Sequence, residues 1–356
     1  MTTTALLALA LAAPIVAPWP PLPEGPPAAL TNARVSVRRL AGSLADEVRG
    51  VGAGPTWIGY AVPSLQHGHM CCYDSVHESR VRPCGLCRLE GRGEGVNIEG
   101  SPKPKTTRGA NAPPLAVVML RVERGQTLRL GVYSDDCGLD AGGLAVLWLS
   151  EVPAAQSLAV LEALAAAAPM DEALAAIAAH QDPAADLALE RLVAPRRPSK
   201  LREQAAFWIG QSRGRRGYEA LRRLVREDKD PDFREHAVFA LSESDVPEAL
   251  DTIIEVARTD TNAGVRGHAL FWLSQKAGHR AAAAITRSIE EDPETEVKKK
   301  AVFALSELQG GEGVPLLIEV ARTNRNLAVR EQAFFWLGQA EDPRALDFLA
   351  EVLKRP

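Results

Sequence analysis

The feature that most constrains this chain is a repeat. Leu201-Arg-Glu-Gln-Ala-Ala-Phe-Trp-Ile-Gly-Gln211 returns as Phe233-Arg-Glu-His-Ala-Val-Phe-Ala-Leu-Ser-Glu243 and Val265-Arg-Gly-His-Ala-Leu-Phe-Trp-Leu-Ser-Gln275. It returns again as Val297-Lys-Lys-Lys-Ala-Val-Phe-Ala-Leu-Ser-Glu307 and Val329-Arg-Glu-Gln-Ala-Phe-Phe-Trp-Leu-Gly-Gln339. Copies start 32 residues apart, at 201, 233, 265, 297 and 329, without insertion. A fixed period of this length marks stacked units, each too small to bury its own apolar face. Apolar residues recur at helical spacing within each copy, so the unit is a helical hairpin and the array an α solenoid.

Between copies lies a second helix, clearest as Ala249-Leu-Asp-Thr-Ile-Ile-Glu-Val-Ala-Arg258 and Leu316-Leu-Ile-Glu-Val-Ala-Arg322. Pro231, Pro247, Pro293, Pro315 and Pro343 fall at hairpin turns or first helical turns, where the missing N–H costs nothing. Residues 152–356 thus read as one array: a degenerate first unit at 154–180 that keeps Ala173 and Ile177 in register but lacks the Phe, then five regular units. An open stack needs such a polar-tolerant cap at its end.

The pattern Val-Arg-x-x-Ala-x-x-Ala-Leu-Gly on one helix of each hairpin resembles the short, phycobilisome-lyase-type HEAT-like repeats, over about residues 155–356. It is also similar to bacterial exported HEAT-repeat proteins. The resemblance implies protein binding or assembly, and it places one face of these helices on the concave side of the solenoid. Phe207, Phe239, Phe271, Phe303 and Phe335 occupy that face, beside His236 and His268 and beside Gln211, Glu243, Gln275, Glu307 and Gln339. These are the binding candidates, aromatic anchors among hydrogen-bonding side chains suited to a protein or peptide. The alternative is that each Phe wedges between helices as core. Val265, Ala269, Trp272 and Leu273 fall in the opposite, packing arc, and Trp208, Trp272 and Trp336 alternate with Ala240 and Ala304, so the full unit spans two hairpins. The Arg at 202, 234, 266 and 330 (Lys298 in the fourth copy) is expected to form salt bridges within the stack.

The first half is of another kind. All five cysteines, Cys71, Cys72, Cys84, Cys87 and Cys137, precede the repeats, and all eight phenylalanines lie from Phe207 to Phe348. Residues 33–151 read as a small β-rich domain with strands at 33–38, 56–62, 115–123, 127–133 and 145–149, a short helix at 43–51 and a hairpin turn at Glu123–Gln126. A thin core of this size calls for staples. The five cysteines are disulfide candidates, with a bridge expected from Cys71 or Cys72 to Cys84 or Cys87. The alternative is a zinc or copper site built from His67, His69, Cys71, Cys72, Cys84 and Cys87.

Residues 1–30 contain no Lys or Arg and one acid, Glu24. Residues 1–17 resemble a signal peptide with a short apolar core, and a Pro-rich linker at 18–32 follows, which predicts a periplasmic or secreted protein. No apolar run reaches the ~20 residues of a membrane span. The formal net charge of −4 supplies no field for nucleic acid, and Arg213, Arg215, Arg216, Arg222, Arg223 and Arg226 read as a solvated surface. No phosphate loop, nucleophile elbow or His-Glu-x-x-His motif occurs. The expectation is an exported, non-enzymatic interaction scaffold without a cofactor. A metal-binding protein is the alternative, and a lyase or thiol oxidoreductase accessory protein the remaining one.

Overall fold

The computed structural model describes residues 22–27, 29–66, 71, 73–76, 80–83, 86–91, 113–167, 171–276 and 278–354. His67, His69, Cys72, Cys84 and residues 1–17 lie outside them.

The first half holds β1 (Leu30–Thr31), β2 (Arg34–Arg39), α1 (Leu44–Arg49), β3 (Thr56–Pro63), β4 (Tyr73–Val76), β5 (Arg80–Pro83) and β6 (Cys87–Arg88). Then follow β7 (Leu115–Glu123), β8 (Gln126–Ser134), β9 (Leu139–Asp140) and β10 (Ala145–Ser150). The five strands anticipated from sequence are β2, β3, β7, β8 and β10, and they make one mixed sheet in the order β2-β10-β3-β7-β8. β10 runs parallel to both β2 and β3, whereas β3, β7 and β8 are antiparallel. Arg124 (φ 51°) and Gly125 (φ 72°) turn β7 into β8, the two left-handed residues of a tight hairpin. Part of the stretch assigned to a linker joins the fold: β1 pairs with β9, and Leu22 and Leu30 pack on the core beside it.

Strand alternation divides the sheet between two cores. Trp57, Met119, Val146 and Trp148 face a layer that holds Cys87, Leu89, Cys137 and Leu139. Ile58, Tyr60, Val118, Leu120 and Leu149 face the opposite way, into a cluster that includes Leu158, Leu161, Leu174 and Ile177 and continues unbroken to Phe348. The sheet therefore closes the first end of the helical array. The sequence reading expected a solvent-facing cap there; Ala173 and Ile177 are instead fully buried, because the sheet supplies the missing neighbour.

The helices are α2 (Ala154–Ala167), α3 (Asp171–Ala179), α4 (Ala184–Leu192), α5 (Ser199–Ser212), α6 (Gly214–Glu227), α7 (Pro231–Ser242) and α8 (Glu248–Thr259). They continue as α9 (Ala263–Lys276), α10 (Gly278–Glu291), α11 (Thr295–Ser306), α12 (Gly313–Thr323), α13 (Leu327–Gln339) and α14 (Pro343–Lys354). The five sequence copies are α5, α7, α9, α11 and α13. They stack side by side in one layer, with α6, α8, α10, α12 and α14 behind. Contacts are more extensive within the first layer, so the array curves with that layer inside. Leu201, Phe233, Val265, Val297 and Val329 are buried at the same register position, which is why the period tolerates no insertion.

The hairpin turns are held by carboxylates and amides. Asp228, Asp260, Asp292 and Asn324 each accept from the backbone N–H two residues on, and Asp230, Asn262 and Asn326 cap α7, α9 and α11's successor α13. Gly210 is dictated by close packing, since a Cβ there would lie 2.0 Å from the Ala240 carbonyl oxygen.

Candidate functional site

Four of the five repeated phenylalanines, Phe207, Phe239, Phe271 and Phe303, are half-buried, and Phe335 is exposed. The rings meet across hairpins. Phe207 stacks on Phe239 at 5.9 Å, and Phe239 lies 4.7 Å from Trp272. Phe271 touches Trp272 edge-on at 5.1 Å and stacks on Phe303 at 6.2 Å. Phe303 then lies 4.9 Å from Trp336, and Phe335 meets Trp336 edge-on at 5.0 Å. Trp208, edge-on to Phe207 at 5.4 Å, starts the series.

The result is one unbroken ladder of eight rings along the inner layer. The sequence reading divided Phe from Trp, assigning the second to packing and leaving the first between an open concave face and the core. The structure joins them, because residues i and i+1 of a helix sit about 100° apart and both reach the groove between neighbouring helices. Val265, Ala269 and Leu273 are fully buried as expected; Trp272 is not. The alternation of Trp with Ala240 and Ala304 is the signal that could have shown this, since Trp272 and Trp336 each lie against the Phe of the preceding copy.

Polar groups border the ladder. His236 Nε2 lies 3.5 Å from Glu203, and His268 Nδ1 lies 3.5 Å from Glu235, each pair bridging two hairpins. Burial lowers the pKa of His268, opposed by Glu235 and assisted by His236 and Lys300. Glu243 forms an ion pair with Lys276 at 3.3 Å. Gln211, Gln275, Glu307 and Gln339 are exposed at the helix ends. The ladder is thus an apolar strip with hydrogen-bonding side chains on its margins.

The arginine-rich stretch is largely neutralised. Arg215 pairs with Glu248 at 2.5 Å, Arg223 with Glu190 at 3.2 Å and Arg226 with Glu255 at 2.6 Å. Arg213 and Arg216 share Asp186, at 2.5 and 3.1 Å. These last residues line a cleft of about 550 Å³ between the sheet and α6, where the cations already hold their counter-ions.

Cys71 is bridged to Cys137, with Cα atoms 5.5 Å apart. This corrects the expected pairing for Cys71, which sits against the β8–β9 turn beside Ser134 and Cys137 and is not bridged to Cys87; Cys72 and Cys84, the other members of that expectation, lie outside the described residues. Cys87 is buried in the same apolar layer. The Asp136 carboxylate lies within 4.8 Å of both bridged sulfurs, so zinc or copper at this point requires the disulfide to be reduced.

One arrangement looks catalytic on paper. Ser157 Oγ stands 2.9 Å from His180 Nε2 and 2.9 Å from Tyr60 Oη. All three side chains are fully buried, so no substrate reaches the hydroxyl. The trio ties sheet to solenoid. Burial lowers the pKa of His180 to about 4 and raises that of Tyr60, keeping both neutral.

A sequence profile of HEAT repeats matches residues 185–274 and 282–356. The helical array is a HEAT-repeat solenoid. Among solved structures, the chain is similar to YibA of Escherichia coli, with 23% identity over 47% of this chain and a TM-score of 0.33. The chain spans 63% of the length of YibA. Human deoxyhypusine hydroxylase aligns at 17% identity, covering 56% of this chain and 91% of that one, TM-score 0.26. The CpcE–CpcF complex of phycocyanin lyase from Nostoc sp. PCC7120 aligns at 17% identity, covering 42% and 97%, TM-score 0.32. No curated protein matches the chain. Among the described residues, no helix is long and apolar enough to cross a membrane.

Proposed function

We propose that this chain is an exported, non-enzymatic scaffold whose HEAT array docks a protein or peptide along the aromatic ladder. The observation that carries the reading is the ladder itself. Eight rings run side by side on the inner layer, half-exposed, where a packing role alone would have them buried like Phe233. Large rigid rings with polar margins are the composition of binding hot spots. The internal pairing of the Arg213–Arg226 cations favours a protein partner over nucleic acid.

The triple variant Phe271→Ala, His268→Ala, Gln275→Ala tests this. Partners that co-purify with the wild-type chain from its native extract should be lost or weakened by ~1–4 kcal/mol per anchor. Retention of the same partners by a folded variant overturns the reading. Export is tested separately by fusing residues 1–32 to a reporter active only outside the cytoplasm; a silent reporter removes that half of the proposal.

A further inference from the structure

The cleft between the sheet and α6 carries charges of both signs. Arg213, Arg215 and Arg216 line it, and so do Asp182 and Asp186. Arg215 is paired with Glu248, which leaves two guanidiniums and two carboxylates, a balanced set. Leu65, Ala154 and Pro183 add apolar wall. At about 550 Å³ the cleft has the volume of a small-molecule site.

The ion pairs inside it leave groups over. Arg213 donates through Nε to Asp186 and through Nη1 to the Ala178 and His180 carbonyl oxygens. Its Nη2 has no partner among the described residues. The side chain is 2% exposed, so these bonds hold the guanidinium in place. Arg216 uses only Nη1, on the second oxygen of Asp186. No side chain caps the first turn of α6, so its N–H groups add positive potential beside these two arginines.

Two buried atoms call for the opposite kind of group. His180 is fully buried and lines the cleft. Ser157 Oγ engages its Nε2, while Nδ1 has no partner among the described residues. With Nε2–H donating to Ser157, Nδ1 is an acceptor. The Gln181 side-chain oxygen, next along the same wall, is also buried and unpartnered. Asp182 accepts from the Ala184 N–H through Oδ1, and its Oδ2 has no partner among the described residues. Stranded buried acceptors are costly unless a donor reaches them. An anion alone brings none. One ligand that serves both sets carries an anionic acceptor and a cationic donor.

We propose that the cleft binds a free α-amino acid with an aliphatic side chain. Its carboxylate takes Arg213 and Arg216 at the first turn of α6. Its ammonium takes Asp182, the Gln181 side-chain oxygen and His180 Nδ1, and its side chain lies against Leu65 and Ala154. The zwitterion matches the balanced lining, whereas phosphate would meet Asp182 and Asp186 with no positive charge of its own. The inference does not rest on what the aromatic ladder docks.

An amide NMR titration of the full chain with L-leucine tests it. A Kd of about 1 mM or below is expected, with shifts centred on Gln181, Gly214 and Arg216. N-acetyl-L-leucine, which lacks the ammonium, L-leucinamide, which lacks the carboxylate, and inorganic phosphate should each bind at least about 10-fold more weakly. Arg216→Gln and Asp182→Asn should each raise the leucine Kd at least about 10-fold, with an unchanged far-ultraviolet circular dichroism spectrum. Asn at 182 retains the oxygen that caps Ala184, and Arg216 is largely exposed, so neither change strips the fold of a support. Arg226→Gln, whose arginine pairs with Glu255 outside the cleft, should bind as wild type. No shift at about 10 mM leucine, equal affinity for either blocked leucine, or a leucine Kd unchanged in either cleft variant overturns the proposal.

Discussion

Arg266 and Asp292 lie in successive hairpins, 26 residues apart, and meet in a two-pronged ion pair: Nε to Oδ2 at 2.7 Å and Nη2 to Oδ1 at 3.0 Å. Both side chains are almost wholly buried. Arg266 also donates to the Asp260 carbonyl oxygen at 2.9 Å, so one guanidinium joins two turns of the array. The same link recurs as Arg234 with Asp260 and as Arg202 with Asp228. In the fourth copy both halves change: Lys298 donates to the Glu290 carbonyl oxygen and Asn324 replaces the acid.

Removing one member of such a pair strands a buried charge. Arg266→Ala should therefore cost ~3–5 kcal/mol, more than the joint change Arg266→Met, Asp292→Leu. Denaturant unfolding of both variants measures the difference. Equal losses would mean that Asp292 finds water or another donor.

The ladder and the core should respond differently to truncation. Phe233 is buried beneath the Arg202 guanidinium, 3.7 Å from its ring centre, and Leu305 is fully buried. Phe233→Ala should cost ~3–5 kcal/mol and Leu305→Ala ~2–5 kcal/mol. Phe271→Ala forfeits two ring contacts on a half-exposed surface and should cost ~1–3 kcal/mol. Because repeats contribute nearly independently, Phe239→Ala and Phe303→Ala should match it. Thermal melting decides, and losses as large as that of Phe233→Ala would make the ladder structural.

Reduction of the Cys71–Cys137 bridge opens a loop of 66 residues, worth ~4 kcal/mol in the chain-entropy model. Non-reducing peptide mapping should recover the 71–137 crosslink. A peptide linking Cys71 to Cys84 instead would contradict the observed packing.

His180 couples stability to pH. Its folded pKa of about 4 lies below the ordinary value of 6.5, so the unfolded chain binds the proton first as pH falls. The contribution is complete above pH 6.5 and declines between 6.5 and 4, by on the order of 3 kcal/mol. His180→Gln should flatten that part of the stability profile. An identical pH dependence in wild type and variant would show that the imidazole titrates alike in the folded and unfolded chain.

The solenoid, its period, the helices that carry the repeat and the five strands of the main sheet are all legible in the residues alone. Each of these follows from local periodicity: apolar residues at 3.6 or 2 intervals, Pro and Gly at the ends. Val265, Ala269 and Leu273 could be assigned to the core because a helix face is a one-dimensional property. What lies between elements emerges only in three dimensions. It joined Trp272 to Phe239 and Phe271 across two hairpins, closed Cys71 onto Cys137, and laid Ile58 and Tyr60 over the array's first end. Those contacts depend on distances between segments remote in the chain, where no periodicity operates and packing geometry alone selects the neighbour.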